Sequence, residues 1–143
     1  MIPTALALVL LVAPPLARPV DEHTVLVDRA QALALFADPS PLEGQVWGVP
    51  VFAETRGGFF AVRDLVGIRV DGIEVGSTVH GLGLRNGDVV RRVGGRPIAG
   101  LAHLPALARH AEAELRAGRD IVVGLVRGGR PLDLTLRTTP RAG

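Results

Sequence analysis

Residues Leu65 to Pro97, LVGIRVDGIEVGSTVHGLGLRNGDVVRRVGGRP, decide how this chain folds. They alternate short apolar runs with turn-forming residues. Ile68, Val70 and Ile73 read as strand, and Gly76-Ser77 then closes a turn in which Ser77 is placed to N-cap a short helical turn ending near Gly81. Leu82 and Leu84 are expected to pack inward. Asn86-Gly87 supplies residues that tolerate a positive φ, so the chain reverses before Asp88 and enters a strand from Val89 to Val93. Gly94-Gly95 turns it again.

Downstream, the spacing predicts a helix from about His103 to Ala117. Pro105 sits in its first turn, Leu104, Leu107, Ala108, Ala111 and Leu115 form one stripe, and Gly118 follows the last turn. Glu112 and Arg116 stand four apart with the acid first, a surface pair that contributes about 0.3 kcal/mol. Ile121 to Val126, a turn at Arg127-Gly128-Gly129-Arg130 and the alternating run Leu132 to Leu136 read as a hairpin, with a frayed tail from Thr139.

Upstream, Thr24 to Val27 is a short strand. Asp28 with Gln31 then resembles a capping box opening a helix to about Ala37, with Ala30, Leu33, Ala34 and Ala37 on one side. Asp38-Pro39-Ser40-Pro41 stops it. Val46 to Ala53 and Phe59 to Val62 read as two strands around a turn at Glu54 to Gly58. At the start, Ala5 to Ala13, ALALVLLVA, is an apolar run ended by Pro14-Pro15. About 20 apolar residues are needed to cross a bilayer as a helix, so this run matches a signal-peptide h-region with a small-residue cleavage site near Ala17, or a short anchor. The competing reading is a buried strand or helix. No Lys or Arg precedes the run.

Composition bounds the rest. The 143 residues hold one compact domain plus an N-terminal extension, and 48% hydrophobic against 21% charged residues argue against general disorder. Aromatics make up 3%, so the core must be built from Val, Leu, Ile and Ala. The isoelectric point near 10.8 suggests a nucleic-acid binder, yet the formal net charge is only +2. The sequence has no Lys, Cys or Tyr, so little titrates between His and Arg and a small positive excess drags the neutral point upward. Basic residues are scattered, with Arg91-Arg92 the densest pair, and form no stripe for phosphates. The lack of cysteine excludes a disulfide scaffold and a thiolate zinc site. His23, His80, His103 and His110 lack the close spacing of metal ligands, so no metal and no cofactor are expected. No G-x-S-x-G turn and no H-E-x-x-H motif occurs, and Ser40 and Ser77 have no evident His-Asp partners, so no catalytic activity is expected.

The joint spacing of Gly76-Ser77, Gly83-Leu84 and Gly87-Asp88, between a Gly-containing strand and a Gly-Gly hairpin, resembles a PDZ domain over about residues 59–138. More narrowly, VGIRVDGIEVGSTVHGLGLRNGDVVRRV is similar to the PDZ domain of the inner-membrane C component of bacterial type II secretion systems. The stretch VLVDRAQALALFADPSPLEGQVWGVPVF also looks like the segment entering that domain. Gly94-Gly95 stands where that family commonly has Asn-Gly. The resemblance implies an α+β fold, a small, partly open β-barrel or sandwich with one long and one short helix, preceded by a short helical and strand extension. The expected division is residues 1–17 as signal peptide or short anchor, 18–58 as linker and extension with a helix at about 28–37, 59–138 as the PDZ domain and 139–143 as tail.

The resemblance also implies a function. PDZ domains bind an extended peptide as an added strand between a sheet edge and a helix, and clustered backbone N–H groups can capture a terminal carboxylate. The expected peptide-binding residues are Leu65, Val66, Gly67 and Ile68, an edge strand continuing through Arg69 to Val70, and a helix wall of Leu104, Leu107, Ala108 and Ala111. Plain core is the competing role of Leu104 and Leu107. Because bacterial members shift the strand order, Phe59 to Val62 is the other expected carrying strand. His103 resembles the histidine with which some PDZ domains read a ligand hydroxyl. The expected partner is a protein or peptide, either a secretion-system component or an exported substrate, with no nucleic acid and with inner-membrane association. The protein would then be periplasmic, exported or anchored. A free-standing exported adaptor for an envelope protease or another assembly is the alternative, because the secretion component normally carries a transmembrane helix and a further domain that residues 1–60 do not accommodate.

Overall fold

The computed structural model describes residues 15–57 and 60–139. Its elements in chain order are β1 (Ala17–Pro19), β2 (Thr24–Asp28), α1 (Arg29–Ala37), β3 (Trp47–Gly57), β4 (Phe60–Asp71), α2 (Thr78–Gly81), β5 (Val89–Val93), β6 (Arg96–Pro97), α3 (Leu104–Arg116), β7 (Ile121–Arg127) and β8 (Arg130–Thr139). Short 3-10 turns precede β3, at Ser40–Leu42, and α3, at Leu101–His103. The strands form one sheet in the order β1-β2-β8-β7-β5-β4-β3, with β6 as a hairpin partner of β5. This is the expected α+β architecture, and among the described residues its sheet stays open, with β1 and β3 at the edges.

Local chemistry explains most of the boundaries. The Asp28 carboxylate accepts a hydrogen bond from the Gln31 N–H at 2.9 Å and starts α1. The Ser77 hydroxyl accepts from the His80 N–H at 3.2 Å and starts α2. Gly128 and Gly129, at φ 57° and 78°, make the two-residue turn joining β7 to β8. Asn86-Gly87 divides its labour. Gly87 takes the positive φ of 87°, while the Asn86 side chain accepts from the Ile73 N–H at 2.8 Å and donates to the Ile73 carbonyl at 3.1 Å. Ile73 therefore lies beyond the end of β4, held in place by Asn86 rather than by a strand ladder.

Two apolar clusters cover one continuous sheet. The first joins Val25 and Val27 of β2, Ala32 of α1, Ala111 and Leu115 of α3, Ile121 and Leu125 of β7 and Leu134 of β8. The second gathers Val70, Ile73 and Val79, with Leu42, Val46, Leu84 and Val90 packed against it. β2 pairs in parallel with β8, from Thr24 opposite Thr135 to Asp28 opposite Thr139. Residues 24–37 are thus part of the domain's core.

Three local expectations are corrected. The buried residue of α1 is Ala32, whereas Ala30, Ala34 and Ala37 are exposed, because the helix turns a different side to β2. β3 continues to Gly57, through most of the expected turn, whose Gly58 lies outside the described residues. Thr139 closes the ladder opposite Asp28 and is not frayed. The apolar run Ala5 to Ala13, Phe59 and the last four residues lie outside the described residues.

Candidate functional site

The expected peptide strand does not lie at an edge. β4 pairs with β3 along its length, and Ile68 and Arg69 also pair with Val90 and Val89 of β5. Val70 donates to the Asp88 carbonyl at 2.8 Å, and its own carbonyl accepts from the Gly87 N–H at 2.8 Å. From Ile68 to Val70 both sides of the strand are therefore filled, and the expectation of an edge there is corrected. Gly67 has a packing reason for its size: a Cβ would stand 2.7 Å from the Val90 carbonyl oxygen and 2.8 Å from Val89 Cγ1. Leu65 and Val66 are half-buried at a bulge in which Val66 is the extra residue of β4, between the pairs Val51–Gly67 and Phe52–Leu65. Phe60 to Val62 pair with β3 alone among the described strands.

On α3, Leu107 and Ala111 are buried, Leu104 is half-buried and Ala108 is exposed. Ala108 and Ala111 line a recess of about 450 Å³ between α1 and α3, floored by Val93, Ile121, Val123 and Leu136. Leu104 and Leu107 do not line it. The helix thus separates the expected wall into two pairs. His103 ends the turn before α3 and supplies no side-chain cap.

Among the described residues the free edge is that of β3, whose eleven residues have a hydrogen-bonded neighbour on the β4 side only. Val70 spends both its backbone groups toward β5, so the alternation of an antiparallel ladder makes Arg69 opposite Val49 a bonded pair. Pro50 opposite Ile68 is then an unbonded pair, with its nitrogen turned outward, the one place a ladder tolerates proline. The outward edge offers carbonyls at Gly48, Pro50 and Phe52, and N–H groups at Gly48 and Phe52, with a gap at Pro50. Apolar side chains stand beside it: Trp47 is 68%, Val49 39% and Phe52 47% exposed. Trp47 lies over Gly72, where a Cβ would be 3.3 Å from Nε1, and the Arg63 guanidinium sits 5.7 Å from the centroid of the Phe52 ring. The sequence signal for this edge was the proline within Val49-Pro50-Val51-Phe52.

The polar residues of the turn motif are committed to structure. Asp88 is 1% exposed and accepts from Arg127 Nε at 2.9 Å, Arg127 Nη2 at 2.7 Å and the Arg85 N–H at 2.8 Å. Arg127 Nη2 also donates to the Gly83 carbonyl at 2.8 Å. Hydrogen bonding to Asp88 raises the Arg127 pKa above its ordinary value, against a smaller opposing effect of burial. Arg127, with Arg85, Arg130, Asp21, Glu22 and His23, also lines a polar cleft of about 610 Å³ beside the β7–β8 turn. No group of three metal-ligating side chains occurs among the described residues.

Strands β8, β7, β5, β4 and β3 lie side by side in that order, and the short helix between β4 and β5, the long helix before β7 and the β7–β8 hairpin are the parts expected from the sequence. The fold is PDZ-like. Among solved structures, a PDZ domain of EpsC from Vibrio cholerae (residues 204–305) is similar at TM-score 0.44 and 15% identity, covering 76% of this chain and 91% of that one. A shorter piece of the same domain (residues 219–305) gives TM-score 0.36 and 14% identity, over 67% and 97%. No protein-family model matches this PDZ-like chain. Among curated proteins, the magnetosome formation protease MamE of Magnetospirillum gryphiswaldense is 34% identical over 74 residues. That match takes in 52% of this chain and only 9% of MamE.

Proposed function

We propose that this chain is a noncatalytic protein-interaction module of the cell envelope, exported or anchored at the inner membrane, that takes an extended peptide as an added strand on the outer edge of β3. One observation carries the reading: an edge of eleven residues, unpaired among the described residues and flanked by exposed Trp47, Val49 and Phe52. Ala108 and Leu104 on α3 are the residues of the expected helix wall that remain accessible to a partner. The Ser77 hydroxyl is engaged as a helix cap, which supports a binding rather than a hydrolytic role.

The two stretches similar to the C component of type II secretion favour membership of that machinery. The partner would then be a secretion component or an exported substrate. The partial identity with a protein named as a protease favours the second reading, an adaptor in an envelope protease assembly. A strand-addition contact of this kind has an affinity near micromolar, about 8 kcal/mol, so persistence would come from avidity.

In-cell photo-crosslinking in the native host tests both. Reactive residues belong at Trp47, Phe52 and Ala108, which are exposed, and not at Val70 or Leu107, which are 8% and 7% exposed. Secretion components captured from Trp47 and Phe52 are the expected result. An envelope protease in their place would establish the adaptor, and a folded protein with no captured partner from either position would remove β3 as the binding edge.

A further inference from the structure

Strand β8 outruns its neighbour. β7 pairs with it from Arg130 to Leu136, whereas β2 joins its other side only at Thr135, so Arg130 to Leu134 have no strand on that side among the described residues. The alternation of the ladder fixes which groups face that way. Gly128-Gly129 is a two-residue turn, so Arg127 and Arg130 form a bonded pair and the odd-numbered residues of β8 turn their backbone outward. Thr135 obeys this rule, since its N–H reaches the His23 carbonyl at 2.7 Å. The groups left over are the Pro131 carbonyl and the Asp133 N–H and carbonyl. A ladder continued beyond β2 would bring the His23 N–H to the Asp133 carbonyl, but that N–H donates to Asp21 Oδ1 at 2.8 Å instead.

The polar cleft of about 610 Å³ opens along this segment, over buried Val25 and Leu134. At the Arg130 end stand Arg130 itself, Arg127 and Arg85, the last held by its Nη1 on the His80 and Leu84 carbonyls at 2.8 and 2.9 Å. At the Thr135 end stand Asp21, Glu22 and His23. Buried Asp88 offsets Arg127, so two positive charges at one end face two negative charges at the other. No ion pair joins the two ends, and neither Arg130 nor Glu22 has a side-chain partner among the described residues.

We infer that this cleft takes an extended peptide segment of mixed charge, laid along β8 with an acidic side chain toward Arg130 and a basic one four residues away toward Asp21 and Glu22. Main-chain hydrogen bonds to Pro131 and Asp133 give the register, and charge complementarity selects the partner. Arg130 to Leu134 rises about 13 Å, the length of a five-residue strand, whose first and fifth side chains share a face with the third between them. That third residue is apolar, because Leu132 and Leu134 line the cleft beneath it. The site differs from the β3 edge in place and in chemistry, and neither depends on the other.

The isotope-labelled full chain is titrated with four end-blocked peptides, ETVTK, KTVTE, ETVTE and KTVTK, and the backbone amides are followed by NMR. One of the two mixed-charge orders moves the Asp133 amide with a midpoint about fivefold below that of either like-charged peptide, the scale of one or two exposed ion pairs. Glu22 and Arg130 are exposed and lack side-chain partners among the described residues, so Glu22→Lys with Arg130→Glu keeps the fold, which its amide spectrum verifies. This double variant reverses which of the two mixed orders binds more tightly. Equal midpoints for all four peptides, a preference that the double variant leaves unchanged, or no movement of the Asp133 amide each overturn the inference. Movement confined to residues 48–52 overturns it while supporting the β3 edge, so the two readings fail separately.

Discussion

Asp88 is a charge taken almost wholly out of water, and its three donors explain how it can be there. Replacing it by Asn removes one acceptor oxygen and sets an amide N–H against donors. Because the Arg127 side chain is 36% exposed, solvent recovers part of the loss, so Asp88→Asn should cost about 2–3 kcal/mol, read as a lower urea midpoint. A change within about 0.5 kcal/mol would show that water replaces the pair. The pH dependence has a definite sign. A folded-state pKa raised above the unfolded one means the Arg127 contribution is complete below the ordinary arginine value and is lost only as pH rises through the higher one. The loss should therefore be the same at pH 6 and pH 9. Asn86→Ala, which frees the Ile73 N–H and carbonyl together, should cost about 1–3 kcal/mol by the same unfolding measurement.

At the scale of elements, β4 and β3 exchange the roles that strand periodicity suggests. Gly67 looks like a residue kept small for a ligand, yet its missing side chain makes room for the Val90 carbonyl of β5. Gly67→Val should therefore push β4 from β5 and lower stability by about 3 kcal/mol, with a thermal midpoint well below the parent. A Gly67→Val protein as stable as the parent would restore that loop as a site open to a partner. On β3, Pro50 leaves a gap in the outward row of donors, a known device against pairing of sheet edges. Pro50→Val supplies the donor and should produce concentration-dependent self-association in sedimentation velocity, where the parent sediments as one species. An unchanged profile would mean the edge is protected by something other than the proline. These elements also show what the sequence could reveal. The caps at Asp28 and Ser77, the Gly-Gly hairpins and the stripe of α3 are decided by residues within a few positions of each other, and the sequence displays them. That β4 is covered on both sides, that Asn86 holds Ile73 from thirteen positions away, and that α1 faces α3 across a recess all depend on contacts distant in sequence, which periodicity does not encode.

The molecule as a whole is closed by a pairing with the longest sequence span in the sheet. β2 runs parallel to β8, residue 24 beside residue 135, and buries Val25 and Val27 at 1% and 2% exposure under α1 and α3. A segment that reads as an extension in sequence thus supplies part of the core, and Leu134 and Leu125 on the other side depend on it. Each buried valine is worth about 1.5–3 kcal/mol, and the total stability of such a domain is only about 5–15 kcal/mol. Val25→Ala alone should then lower stability by about 2 kcal/mol, because neighbours on both strands limit collapse of the cavity. A chain beginning at Gln45, without β1, β2 and α1, should lose its cooperative thermal transition while keeping helical circular dichroism from α3. A cooperative transition in that shortened chain, near the parent midpoint, would show instead that strands β3 to β8 with α2 and α3 fold alone and that β2 with α1 is an attached layer. The Val25→Ala result separates the two outcomes further, since an attached layer would leave the main transition unmoved by that substitution.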